Sequence, residues 1–403
     1  MKPLPGTPDC VAHAVSGDGR VVVGYSGQFN APRTLPQQPT LWRTPETAEP
    51  LGIPSSSTDA VAVDANIDGS IVLVSGVSRV GPPDFRTYLW TETLGYEWLG
   101  ESLSGIGNAI AQAVSSDGTT VVGAGDSGSG NLARGFRWNR AWGMTSSLLL
   151  DSVSTSQYYG LSRDGRVAVG GGNRNMSSSN TAIAATIDKI IDLGTFPGES
   201  YAVALDANED GSVVVGYGRK AGGMRGFRWT EETGLVDLGT PRSGLWLAQD
   251  YSSIFVHAAN ADGSVVVGEA WGPMGSRAFA WTPSLGMIDL NSYFSAMGIP
   301  RSDGALTAAI SVSDDGRIIA GVCVGEPTRG FIASFPRYCP GDMNFDGAVD
   351  DADFQVFIWN LNLGGDPLWN EDGNRADLNF DSIVTSDDIE IFRASYDRLV
   401  CEE

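Results

Sequence analysis

One four-residue phrase returns along this chain at a near-constant interval, and that spacing limits the available folds more than any other feature. Ser or Asn, any residue, Asp and Gly stand as "SGDG" 16–19, "NIDG" 66–69, "SSDG" 115–118, "SRDG" 162–165, "NEDG" 208–211, "NADG" 260–263 and "SDDG" 313–316. The glycines at 19, 69, 118, 165, 211, 263 and 316 lie 50, 49, 47, 46, 52 and 53 residues apart. A unit of about 48 residues repeated seven times implies one supersecondary element that buries its apolar face against copies of itself.

Each phrase reads as a tight hairpin turn. Ser or Asn is expected to bond the backbone two residues on, Asp to accept locally, and Gly to take the positive φ that closes the hairpin. A β-branched run follows, as in "RVVVG" 20–24, "TTVVG" 119–123, "SVVVG" 212–216 and "RIIAG" 317–321, with Val74 replacing the final glycine in the second repeat. An aromatic strand comes next ("YLWT" 88–91, "GFRWN" 135–139, "GFRWT" 226–230, "AFAWT" 278–282), then a segment such as "GLVDLG" 234–239. Repeats four and seven lose the tryptophan, reading "AIAAT" and "GFIASF".

Four short strands per period predict a mainly β chain whose repeats form a seven-bladed β-propeller. The coils of a parallel β-helix are usually much shorter. The phrase resembles the HAF-type extracellular repeats of bacterial surface and secreted proteins over roughly residues 10 to 335. That resemblance implies an extracellular or cell-surface location and carries no established catalytic residues. Because single cores stop growing at roughly 250 to 300 residues, 403 residues divide into a propeller at 1–336 and a small, α-helical C-terminal domain at 337–403.

That second domain carries two loops of calcium-binding pattern. An EF-type loop offers oxygens from positions 1, 3, 5, 7 (a backbone carbonyl), 9 and 12. Counting through "DMNFDGAVDDAD" gives Asp342, Asn344, Asp346, Ala348, Asp350 and Asp353. Counting through "DLNFDSIVTSDD" gives Asp377, Asn379, Asp381, Ile383, Thr385 and Asp388, with Ser382 in the place of the usual glycine. Each loop runs into an amphipathic segment, with Phe354, Phe357, Ile358 and Leu361, then Ile389, Phe392, Tyr396 and Leu399, at helical spacing. The duplicated loop and helix resemble a type I dockerin, which implies two Ca2+ sites and a cohesin-like anchoring partner. The family's cohesin-contact positions fall here on Asp351 with Ala352 and Ser386 with Asp387, without the usual hydroxyl pair. "DANIDG" 64–69 and "DANEDG" 206–211 share the start of the pattern but have Ser75 and Tyr217 at position 12, so they read as turns.

A formal charge of −22 from 26 basic and 48 acidic residues repels nucleic-acid phosphates and anionic lipid. No apolar run approaches the roughly 18 residues of a membrane helix. His13 and His257 occupy the repeat slot that holds Val63, Gln112, Tyr159, Leu205 and Ile310 elsewhere, which points to packing rather than catalysis. No nucleophile, zincin or phosphate-loop motif is present. Trp98, Trp142, Trp246 and Trp271 lie outside the aromatic strands and are either packed under loops or available as sugar-stacking platforms.

These features describe a secreted, non-enzymatic propeller that binds a glycan or extracellular protein, tethered or stabilised by its calcium-loaded module. The alternatives are a glycoside hydrolase or polysaccharide lyase carried by that module, and a purely structural envelope protein. Disulfides are expected between Cys10 and Cys323, on neighbouring blades, and between Cys339 and Cys401, which bracket the tail. The seventh repeat lacks its D-L-G strand. Aligning "LPGTP" 4–8 with "FPGES" 196–200 places that strand before Met1, where a signal peptide is also expected.

Overall fold

The structure, a computed structural model, describes residues 1–334 apart from 30–34, 79–83, 101–106, 127–132, 147–152, 175–178, 242–251, 274, 284–285, 297–303 and 326, with short pieces between 350 and 393. Its local logic begins in the repeated turn. In all seven, the Asp carboxylate accepts the backbone N–H two residues on, from Asp18 to Arg20 through Asp315 to Arg317. The Ser or Asn oxygen instead accepts the N–H five residues on: Ser16 from Val21, Asn66 from Ile71, Ser115 from Thr120, Ser162 from Val167, Asn208 from Val213, Asn260 from Val265 and Ser313 from Ile318. The expected two-residue reach of Ser or Asn is thereby corrected. The Asp takes the near donor, and the first side chain spans the turn to close the next strand.

These turns join the first two strands of every blade. The blades are β1–β4 (Asp9–Val15, Val22–Gly27, Gln38–Thr44, Thr47–Pro50), β5–β8 (Asp59–Ala65, Ile71–Ser78, Asp84–Thr91, Gly95–Trp98) and β9–β12 (Gly107–Val114, Thr120–Asp126, Ala133–Asn139, Gly143–Ser146). They continue with β13–β16 (Val153–Leu161, Ala168–Arg174, Asn180–Ala185, Ile190–Gly194), β17–β20 (Ala202–Ala207, Val214–Lys220, Gly223–Thr230, Gly234–Asp237) and β21–β24 (Ser253–Ala259, Val266–Gly272, Gly275–Thr282, Gly286–Asp289). A seventh sheet contains β25–β27 (Ala308–Val312, Ile318–Cys323, Arg329–Ser334), and a short helix, α1 (Leu290–Ala296), precedes it. Each sheet is an antiparallel meander.

The glycine that ends the second-strand run has a steric cause. A Cβ on Gly216 would lie 2.1 Å from the Val203 carbonyl and 2.9 Å from the Phe227 ring. Gly123, Gly268 and Gly321 sit equally close to the inner strand and to Phe136, Phe279 and Phe331. In the second blade the fully buried Val74 takes this place, and the aromatic residue, Tyr88, lies beside Gly76. Apolar cores form between adjacent sheets: Val213, Val215, Ile254, Val256 and Phe279 bind blade five to blade six.

Ring closure comes from the variable residue of the turn. Backbone N–H groups donate from one turn to the next: Asp18 to Ile67, Ile67 to Ser116, Ser116 to Arg163, Asp164 to Glu209, Glu209 to Ala261, Ala261 to Asp314, and Asp314 back to Gly17. These seven bonds form a closed belt around the axis, so the seventh blade, three-stranded among the described residues, is held in the ring like the others. The N-terminal residues reinforce it. The Met1 ammonium donates to the Gly330 carbonyl at 2.7 Å, the equivalent of the bonds from Leu51 to Pro39, Leu99 to Thr87 and Leu238 to Gly226 in other blades.

The expected Cys10–Cys323 disulfide is absent. Cys10 packs with Trp42 and Val22 between blades seven and one, whereas Cys323 packs with Leu290, Phe294 and Leu306 between blades six and seven. The seventh sheet separates them. Cys339 and Cys401 lie outside the described residues.

Candidate functional site

The two faces of the ring differ in kind. The turn face holds the tight hairpins, whereas the opposite face carries the connections of variable length between second and third strands and between blades. Variable loops on a rigid scaffold are where binding residues concentrate. The inner strands line an axial channel between the faces, with a cavity of about 120 Å3.

On the turn side the channel is crossed by Arg163, the variable residue of the fourth turn. Its Nε donates to Asp314 Oδ1 on blade seven at 3.0 Å, and one Nη donates to the Ala259 carbonyl on blade six at 3.0 Å. Its other Nη lies 3.6 Å from Asp206 Oδ1 on blade five. Burial opposes the charge, yet Asp206 and Asp314 hold the guanidinium above its ordinary pKa.

Asp64 and Asp206, read from sequence as turn residues, act between blades. Asp64 accepts from its neighbour Ala65 at 2.8 Å and from Val114 of the next blade at 2.8 Å. Asp206 accepts from Ala207 at 2.9 Å and from Ala259 of the next blade at 3.0 Å. Ser311 accepts from Val15 across the seventh and first blades. Burial pushes the Asp64 carboxyl up to about 6 and raises Asp206 as well, with Arg163 pulling both the other way.

The shared slot of the two histidines lies at the channel wall. His13 bonds the Ala62 carbonyl through Nδ1 at 2.9 Å and packs edge-on to Tyr25, and burial lowers its pKa. His257 has a different surrounding: its Nε2 is 3.8 Å from Glu269 Oε1. Ser276 donates to the other carboxylate oxygen of Glu269 at 2.8 Å. Burial opposes ionisation of Glu269, but the nearby His257, the Ser276 hydroxyl and Trp271 hold its pKa below the usual value.

Glu269 lies further along β22 toward the loop face, here called the mouth and outside the lining of that cavity, and there the sequence reading missed most of the residues. The position after the second-strand glycine is Tyr25, Ser75, Ala124, Gly171, Tyr217, Glu269 and Val322 around the ring. Variation at one repeat slot was the available signal. Tyr217 contacts Tyr201 (ring centroids 6.5 Å) and Phe255 (5.0 Å), and Phe255 contacts Trp271 (6.1 Å). The result is an aromatic row across blades five and six that ends in Trp271, 51% exposed. Of the other tryptophans proposed as platforms, Trp98 lies under Arg86 at 5.3 Å, Trp142 sits in an outer hairpin with 60% exposure, and Trp246 is outside the described residues.

In the C-terminal module Asp350 and Asp353 are the described members of the two predicted metal sets. Asp353 is fully buried, and its Oδ2 accepts the Asp350 N–H at 2.9 Å. Asp342, Asn344, Asp346, Ala348, Asp377, Asn379, Asp381, Ile383, Thr385 and Asp388 lie outside the described residues. Phe357 and Phe392 are buried and stacked at 4.4 Å. Phe354 and Ile389, expected in the same core, are 41% and 45% exposed.

Comparison with known proteins bears on the C-terminal module and on the propeller fold. Residues 340–394 match the dockerin type I domain model. No curated protein matches the chain. Among solved structures, a puromycin hydrolase mutant complexed with PGG is similar with a TM-score of 0.54 and 15% identity, over 82% of this chain and 52% of that one. Oligogalacturonate lyase from Vibrio parahaemolyticus gives 0.53 and 12%, over 81% and 91%. TolB from Acinetobacter baumannii gives 0.43 and 16%, over 69% and 63%. The chain thus spans less than two thirds of the TolB and of the hydrolase, and identities this low show the propeller fold alone.

Proposed function

We propose that this chain is a secreted saccharide-binding propeller, non-enzymatic, carried to a larger extracellular assembly by its dockerin module. Dockerin modules occur in extracellular and cell-surface proteins and bind cohesins. The observation that carries the binding half of the proposal is the aromatic row ending in Trp271 beside Glu269 at the mouth. Concave sites lined by aromatic rings with a few placed polar groups are the usual form of a small-ligand site. The resemblance of the repeat phrase to HAF-type extracellular repeats supports this location.

The test is titration of the full chain against a panel of oligosaccharides, followed by tryptophan fluorescence. Trp271→Ala should weaken any binding at least tenfold. A panel with no binder, or an unaffected variant, would remove the mouth from consideration. A lyase or hydrolase reading rests on the His257–Glu269 pair, and is supported only if the panel yields new reducing or unsaturated ends that Glu269→Gln abolishes.

The tail reading assigns Ca2+ to two loops. Asp342, Asn344, Asp346, Asp350 and Asp353 with the Ala348 carbonyl hold one ion, and Asp377, Asn379, Asp381, Thr385 and Asp388 with the Ile383 carbonyl hold the other. The donors are all oxygen, which suits a hard cation, and a buried carboxylate such as Asp353 has to be paired or to coordinate. Dockerin type I domains typically bind calcium. Calorimetric titration should report two ions, and Asp342→Ala with Asp377→Ala none.

A further inference from the structure

The mouth carries a charge pattern that selects among saccharides. We propose that it takes oligosaccharides bearing a protonated amine, the ammonium being held between Glu269 and the rings of Tyr217, Phe255 and Trp271. This rests on the reading of the mouth as a saccharide site.

Glu269 stands opposite Phe255 in the ladder between β21 and β22, so carboxylate and ring share one wall. Ser276 donates to one carboxylate oxygen at 2.8 Å, His257 Nε2 lies 3.8 Å from the other, and a carboxylate has about four acceptor positions. Acceptor capacity is therefore left for a ligand. Phe255, on the same wall, packs edge-on to Tyr217 and to Trp271, and aromatic rings attract cations through their quadrupole.

The surrounding charges agree. Deeper in the channel Asp64, Asp206 and Asp314 face one guanidinium, that of Arg163. On blade five, Lys220 pairs with Asp237 at 2.7 Å, and Arg225 donates to the Met224 and Ser252 carbonyls. Arg219 holds the blade-five counterpart of the Trp271 position and is exposed. Water and salt screen an exposed charge far more than Glu269, whose side chain is 21% exposed. A uronate at this wall meets like charge at short range, which selects against it.

The experiment compares the trimers of glucosamine, N-acetylglucosamine and galacturonate on the intact protein by tryptophan fluorescence, at low and at physiological salt. The glucosamine trimer should bind at least tenfold tighter than its N-acetylated counterpart. Glu269→Gln should abolish that preference while retaining the neutral trimer, which also shows that the variant is folded. Because one substitution changes the net charge by a single unit, a preference surviving Glu269→Gln belongs to the acidic surface as a whole and overturns the proposal. Equal binding of the amine and acetylated trimers, or tighter binding of the uronate, overturns the charge assignment and leaves the saccharide site standing. If no trimer binds and Trp271→Ala has no effect on the wider panel, the underlying reading fails.

Discussion

Replacement of Arg163 by Met keeps most of the apolar stem and removes every donor. It leaves Asp314 without its 3.0 Å partner, Asp206 without the guanidinium at 3.6 Å, and the Ala259 carbonyl without one donor. Removing one member of a buried ion pair costs about 3–5 kcal/mol. Here the side chains are 20%, 12% and 20% exposed, so water recovers part of that and about 2–4 kcal/mol is expected. At about 2.1 cal/mol/K per residue, a propeller of roughly 330 residues has an unfolding entropy near 0.7 kcal/mol/K, so Tm should fall by about 3–6 °C. Calorimetry on the wild type, Arg163→Met, Asp314→Asn and the double variant closes a thermodynamic cycle. Asp314→Asn removes the stranded charge, so the double variant should regain at least about 1 kcal/mol over additivity. A Tm within 1 °C of wild type, or strict additivity, would show that the axial cluster is solvated and does not join the blades.

Asp64 should make the propeller acid-favoured over one window. Burial raises its carboxyl from 3.8 to about 6, so between those values the folded chain retains a proton that the unfolded chain has released. Its contribution to stability is fully present at lower pH and is lost as pH rises through about 6, by up to about 3 kcal/mol; Asp64→Asn should flatten that slope relative to wild type in denaturant titrations at pH 4 to 7. Gly216→Ala drives a Cβ to 2.1 Å from a backbone carbonyl and should cost about 3 kcal/mol or prevent folding, whereas Gly234→Ala, with open space but a φ of 63°, should cost about 1 kcal/mol. Chelation should lower a transition of the tail and spare that of the propeller, since a site saturated a hundredfold contributes about 2.7 kcal/mol. Reductant should leave the propeller transition unmoved, and Cys10, whose thiol burial pushes up, should alkylate only on unfolding.

The repeat phrase revealed the blades because turn chemistry is local: Ser115, Asp117 and Gly118 need only their own few residues to close a hairpin. Among the described residues the seventh sheet has three strands, and the absent D-L-G motif is the sequence feature that goes with it. Asp64 was misread because its second acceptor contact, to Val114, joins residues 50 positions apart, and nothing in "DANIDG" distinguishes a turn carboxylate from one that crosses to the next blade. Cys10 and Cys323 were correctly placed on neighbouring blades and wrongly joined, because residue order says which blades meet and not which face of a sheet a side chain occupies.

What the sequence determined by itself, then, is the unit and its number: periodic turns, β-branched runs and aromatic strands specify a blade, and seven copies specify how many. The C-terminal module is likewise written in one short pattern used twice. Tertiary structure decided what those blades surround. The turn-to-turn belt, the Arg163 cluster and the aromatic row beside Glu269 each draw residues from several repeats, and they exist only because closure brings equivalent strands around one axis. The physical reason is range. Hairpin bonds act within about five residues, whereas charge and ring contacts at the axis depend on distances that only the closed ring sets.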